Sequence, residues 1–97
     1  MKKQETKPAL FRLGDVYITP GAQAALTIHT INPASLLDRH VTGDWSNLSP
    51  DDIKANRDAV AGGARIFSSY HIALKIRVWV ITEASRASST VVLPEEY

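Results

Sequence analysis

No cysteine occurs among the 97 residues, so disulfides, thiolate catalysis and cysteine-ligated zinc are excluded. The lack of a disulfide framework fits a cytoplasmic setting. Neither sign of charge is in excess: 11 Lys and Arg stand against 10 Asp and Glu, a formal net charge of +1. Phosphate-driven binding needs a basic surface, so nucleic acid is a disfavoured partner. No apolar run approaches the roughly 20 residues that span a bilayer. No apolar segment follows the two lysines of the opening MKKQETKPALF, so neither a signal peptide nor a membrane partner is expected. Residues 1–9 read as a disordered lead-in and residues 10–97 as one domain.

Catalytic signatures are also missing. His29, His40 and His71 fall in separate segments without metal-ligand spacing, and no nucleophile elbow, phosphate loop or dinucleotide fingerprint is present. No metal and no cofactor is expected, and the reading inclines against an enzyme. Asp44, Asp51 and Asp52 cluster in sequence, but helix capping accounts for them better than a bound cation does. Glu83 and Arg86 flank a loop, where an ion pair is expected rather than a catalytic pair.

What the sequence does contain is punctuation. LFRLGDVYIT, residues 10–19, alternates on either side of Gly14-Asp15, predicting one bent strand or a tight hairpin. Thr19-Pro20, Asn32-Pro33 and Ser49-Pro50 each place a capping side chain before a proline at the first helical position. The first helix should end near Leu26. The second carries Leu36, Leu37, His40 and Val41 on one stripe and stops at Gly43. His40 then sits in its last turn, as a partly buried cap whose positive charge the helix dipole favours. On the third helix Ile53, Arg57 and Val60 share a face, and Gly62-Gly63 should end it. Trp45, between two helices, is expected to plug the gap where their ends meet.

From Arg65 the period changes to two. RIFSSYH, KIRVWVITE and STVVL predict three antiparallel strands, the first connection lying near Ile72–Leu74 and the second being EASRAS. The fold class is therefore α+β: an N-terminal strand, two to three short helices, then a three-stranded antiparallel sheet. One sheet face carries Ile66, Tyr70, Ile76, Val78 and Val80 and should meet the helices. The other carries Arg65, Phe67, Ser69, His71, Lys75, Arg77, Trp79, Ile81 and Glu83. Aromatic side chains among arginines mark interfaces. The candidate binding residues are therefore Phe67, Arg77, Trp79, His71 and Arg65. A plainer expectation is that the N-terminal segment or a second copy of the chain covers Phe67 and Trp79.

GDWSNLSPDDIKANRDAV, GGARIFSSYHI, VWVITEASR and VVLPEEY together resemble a family of small bacterial proteins carried on plasmids and other mobile elements, the plasmid-related proteins. The resemblance runs from about Leu13 to Tyr97. Relatives often have Asp-Arg where this chain has Ser85-Arg86, and an Asp-Gly turn where it has Ala73-Leu74. Some are described as type I restriction subunits, but this chain is far too short for that and has no cofactor or nuclease motif. The resemblance implies a mobile-element setting rather than a biochemical activity.

Three functions follow as expectations. The first is a non-enzymatic module that binds a protein partner or itself, an accessory of a mobile element and a modulator of host defence. The second is a small ribonuclease toxin of the RelE/ParE layout, using Arg65, Tyr70, His71, Lys75 and Arg77; such toxins are strongly basic and this chain is not. The third is a DNA-binding accessory protein using the second and third helices, against which Asp51, Asp52 and Asp58 would repel phosphates.

Overall fold

Residues 7–97 are described by the computed structural model. In chain order the elements are strand β1 (Asp15–Ile18), helices α1 (Pro20–Ile28), α2 (Pro33–Val41) and α3 (Pro50–Gly62), strands β2 (Ile66–Ala73), β3 (Ile76–Thr82) and β4 (Ser88–Val92), and a closing 3-10 turn (Pro94–Glu96). The class is α+β. No described helix is long and apolar enough to cross a membrane.

All three helix starts form as the residue types dictate. Thr19 Oγ1 accepts the Ala22 N–H at 3.3 Å, Asn32 Oδ1 that of Ala34 at 2.9 Å, and Ser49 Oγ that of Asp52 at 3.1 Å. Each satisfies a donor that the first helical turn leaves unpaired, while proline fills the position that needs no donor. α1 runs two residues past Leu26 to Ile28, and His29 caps it. Gly43 follows the α2 cap at φ 83°, a left-handed conformation glycine adopts without penalty.

The sheet departs from expectation. It has four strands in the order β1-β4-β3-β2, and β1 joins it parallel to β4, so the sheet is mixed rather than a three-stranded antiparallel one. A parallel neighbour needs a crossover, and here α1, α2, α3 and the β2–β3 hairpin all lie between the two strands in sequence. Residues 10–14 form neither a bent strand nor a hairpin arm. Leu10 instead donates its N–H to Val41 O at 2.7 Å, and Phe11 packs edge-on against His40 at 5.0 Å. Gly14 (φ 66°) passes so close to the loop before β4 that a Cβ would lie 2.3 Å from Ala87 O. Residues 1–6 of the expected lead-in lie outside the described residues. Lys7, Pro8 and Ala9 belong to no helix or strand.

The core lies between the helices and one sheet face, where Leu26 and Leu36 meet Tyr70, Val78, Val80 and Val91. A second cluster gathers Trp45, Ala59 and Ile66, with Phe11, Leu48, Ile53 and Val60 around them. Trp45 is 4% exposed, the plug expected at the α2–α3 corner, although its buried Nε1–H has no acceptor. On α3 the inward residues are Asn56 and Ala59, not Arg57, which is exposed. Asn56 works as a false strand. Its Oδ1 accepts the Phe67 N–H at 3.1 Å and its Nδ2 donates to Phe67 O at 2.6 Å. Asn47 Nδ2 donates to Ser69 O at 3.3 Å. The outer edge of β2 is thereby occupied at Phe67 and Ser69, which guards that stretch against pairing with another chain.

Candidate functional site

The period-two side chains of the sheet separate into two unlike faces. Beneath the helices the polar groups are sealed into a chain of hydrogen bonds. His40 is fully buried, with Nδ1 2.5 Å from Ser68 Oγ and Nε2 2.8 Å from Thr82 Oγ1. Thr82 meets Ser89 Oγ at 2.6 Å, and Ser89 donates to Leu13 O at 2.8 Å. Burial pulls the His40 pKa down to about 4, so the ring is neutral at ordinary pH. This corrects the expectation of a partly buried, positively charged cap: β2 and β3 close over the imidazole. His40 and Ser68 are both 0% exposed.

The outer face differs. Phe67 and Trp79 are half-buried, while Arg65, His71 and Arg77 are exposed. Phe67 pairs with Ile81 and Trp79 with Ser69, so the two aromatics are diagonal neighbours two residue pairs apart on the β2–β3 ladder, and their rings meet edge-to-face at 5.1 Å. His71 pairs with Arg77 across the same ladder, and Arg77 Nε donates to His71 Nε2 at 3.1 Å. The structure thus places all five sequence candidates on one face. Arg65 stands at one end and His71 at the other, six residues on, about 20 Å at roughly 3.3 Å per residue.

One participant was missed. Tyr97 folds back over this face, its ring 5.7 Å from that of Trp79 and steeply inclined at 71°. Arg65 Nη1 donates to its hydroxyl at 2.5 Å. The turn that brings Tyr97 there is tied down by Glu96. Its carboxylate accepts from Thr19 Oγ1 at 2.5 Å, Gly21 N at 3.0 Å and Leu93 N at 3.0 Å. These bonds, that of Thr19 foremost, hold the Glu96 carboxyl below its ordinary pKa. Among the described residues the partial cover of Trp79 therefore comes from Tyr97, while Leu10 and Phe11 pack against α2 on the helix side. Ile81, paired with Phe67 on the same face, is only 4% exposed. Tyr97 itself stays 64% exposed, so the shield is incomplete.

The remaining candidates resolve differently. Tyr70 lies on the inner face, fully buried, with its hydroxyl donating to Asp44 O at 2.8 Å and its pKa pushed up to about 12 by burial. It cannot join Arg65 and His71 in a common site. Asp44 pairs with Arg39 at 2.6 Å and accepts from Ser46, bonds that lower its pKa, so it does not converge with Asp51 and Asp52. Among the described residues no three His, Asp or Glu side chains are arranged to hold a metal ion. The expected Glu83–Arg86 ion pair is absent. Arg86 turns instead to Ala64 O at 2.6 Å and Ala59 O at 2.8 Å, capping the end of α3.

Two grooves border these features. One, about 740 Å³, runs past Trp45, Arg39 and Arg57 on the helix side. The other, about 490 Å³, opens beside His71, Lys75 and Arg77 at the β2–β3 hairpin, with Glu95 on its far wall. Leu74, at the hairpin tip, is 92% exposed. Comparison with family models, with curated proteins and with solved structures finds no match.

Proposed function

We propose that this chain is a non-enzymatic protein-binding module that works through the outer face of its sheet. The observation that carries the reading is Trp79, set between Phe67 and Tyr97 and bracketed by arginines. Half-buried aromatic side chains with nearby arginines are the composition of interface hot spots. The mobile-element setting implied by the sequence resemblance belongs to the same proposal, with modulation of host defence as its role and the cytoplasm as its place. The partner is a protein or a second copy of the chain, since a homodimer covers an apolar patch with no other gene product.

The alternatives have less behind them. A ribonuclease toxin needs its groups together, yet Tyr70 is on the other face and Arg65 is a strand length from His71. A DNA-binding role for α3 meets exposed Asp51, Asp52 and Asp58, of which only Asp58 is paired, with Lys54 at 2.9 Å.

The experiment compares the native chain with the double variant Phe67→Ser, Trp79→Ser and with Arg77→Glu, after circular dichroism has shown each to be folded. The expected result is a host protein retained by the native chain, lost from both variants, and binding directly once purified. Self-association lost in both variants would serve equally. A retained protein that binds all three chains alike, together with a native chain monomeric at high concentration, would overturn the reading.

A further inference from the structure

The outer face already holds an occupant, and its chemistry is informative. The closing residues are Pro94-Glu95-Glu96-Tyr97, an acidic stretch with an aromatic end. Tyr97 sets its ring against Trp79 and receives a hydrogen bond from Arg65, with the Arg65 guanidinium 5.7 Å from the ring centre. Only half of the face is used in this way. Glu96 turns to the start of α1, and the other half, at the hairpin, keeps its cations unanswered. The ion pairs among the described residues are Arg39–Asp44 and Lys54–Asp58, so Lys75, Arg77 and Arg65 all lack a carboxylate. Cations therefore stand at both ends of a strip about 20 Å long, with Phe67 and Trp79 between them.

We infer that this face binds an acidic peptide segment bearing an aromatic side chain, and that Tyr97 is its built-in competitor. The inference rests on the protein-binding reading above and gives its partner a chemistry. An extended peptide of about six residues matches the strip at roughly 3.3 Å per residue. Its aromatic side chain takes the place of Tyr97 against Trp79, and carboxylates on either side meet Arg65 and the Arg77–Lys75 end. Charge-assisted bonds from arginine to carboxylate supply orientation, and the aromatic contact supplies buried area. Single-stranded nucleic acid also favours aromatic and basic surfaces. Here the rings meet edge-to-face, at 82° for Phe67–Trp79 and 71° for Trp79–Tyr97. That packing gives no set of parallel ring faces on which successive bases could stack. That the face already takes the aromatic side chain of a peptide segment, Tyr97, is the second reason to favour the peptide.

The test is fluorescence anisotropy on the full chain with a labelled synthetic peptide carrying a central tyrosine flanked by glutamates. Controls are the same peptide with alanine for tyrosine, one with lysines for the glutamates, and a labelled oligothymidylate. The glutamate–tyrosine peptide should bind and both peptide controls should not. Arg77→Glu should weaken binding about tenfold, the loss of one charge-assisted contact. Tyr97→Ala, at an exposed position and without touching Glu96, should tighten it roughly threefold or more by freeing the competent state. Peptide binding indifferent to Arg77→Glu, affinity unchanged by Tyr97→Ala, or tighter binding of the oligothymidylate would each overturn the inference. If no peptide binds, yet partner capture or self-association still depends on Phe67 and Trp79, the inference falls and the protein-binding reading stands. If neither depends on them, both fall.

Discussion

The two tryptophans of this chain sit on opposite sides of one sheet, and their surroundings differ in kind. Trp45 is wedged among Ala59, Ile66, Phe11 and Leu48, on the side where helices cover everything. Trp79 stands on the other side, where Phe67 and Tyr97 set their rings against it. Beneath the helices, polar atoms are paired as far as the His40–Thr82–Ser89 chain extends, because a buried unpaired group is costly there. On the outer face Arg65, Lys75 and Arg77 have no carboxylate partner among the described residues, which water tolerates. One side holds the fold together; the other leaves bonding capacity unspent.

The contrast is broken most severely at Trp45. Trp45→Ala should cost about 3–5 kcal/mol, a large share of a stability of about 5–15 kcal/mol. Chemical denaturation measures it, and an unchanged unfolding midpoint would contradict the plug. Acid attacks the same side. His40 has a native pKa of about 4 against an ordinary 6.5, so between those values the unfolded chain binds more protons than the native one. Stability is then unaffected above pH about 6.5 and falls as pH drops toward 4, by about 1.4 kcal/mol per unit and on the order of 3 kcal/mol in total. Asp44 and Glu96, both lowered, lose their contributions only below their ordinary values of 3.8 and 4.5. Urea unfolding across this range should show the slope, and His40→Gln should flatten it.

Smaller effects sharpen the comparison. Ser49→Ala removes the acceptor for the Asp52 N–H and should cost roughly 0.5–2 kcal/mol. A loss under about 0.3 kcal/mol would place the α3 cap elsewhere. On the outer face, Arg77→Glu should change stability by no more than about 0.5 kcal/mol while weakening partner binding about tenfold. A large stability loss there would mean that the outer face, too, serves the fold.

The parts legible in sequence were those with local causes. A capping side chain followed by proline marked every helix start, and alternation assigned Phe67, Arg77 and Trp79 to one face before any coordinates. What escaped was held by partners distant in sequence. The parallel pairing of β1 with β4 has no turn between the strands to announce it. Asn56 stands at inward spacing after Ile53, but its pairing with the Phe67 peptide requires β2 to lie alongside α3. His40 invited a dipole argument from its place in the last turn, and the closure of Ser68 and Thr82 around it overrode that. Tyr97 belongs to a turn whose direction is set by Glu96 reaching α1. An aromatic after two glutamates was the only hint.

The indole signals of the two tryptophans give the most direct test of the outer face as a binding surface. An isotope-labelled chain is titrated with the protein it retains from its host, or with unlabelled copies of itself, and its NMR spectrum is followed. The account predicts that the Trp79 indole and the amides of Phe67, His71 and Arg77 shift or broaden on binding while the Trp45 indole stays in place. Shifts confined to α2 and α3, with Trp79 unmoved, would contradict it.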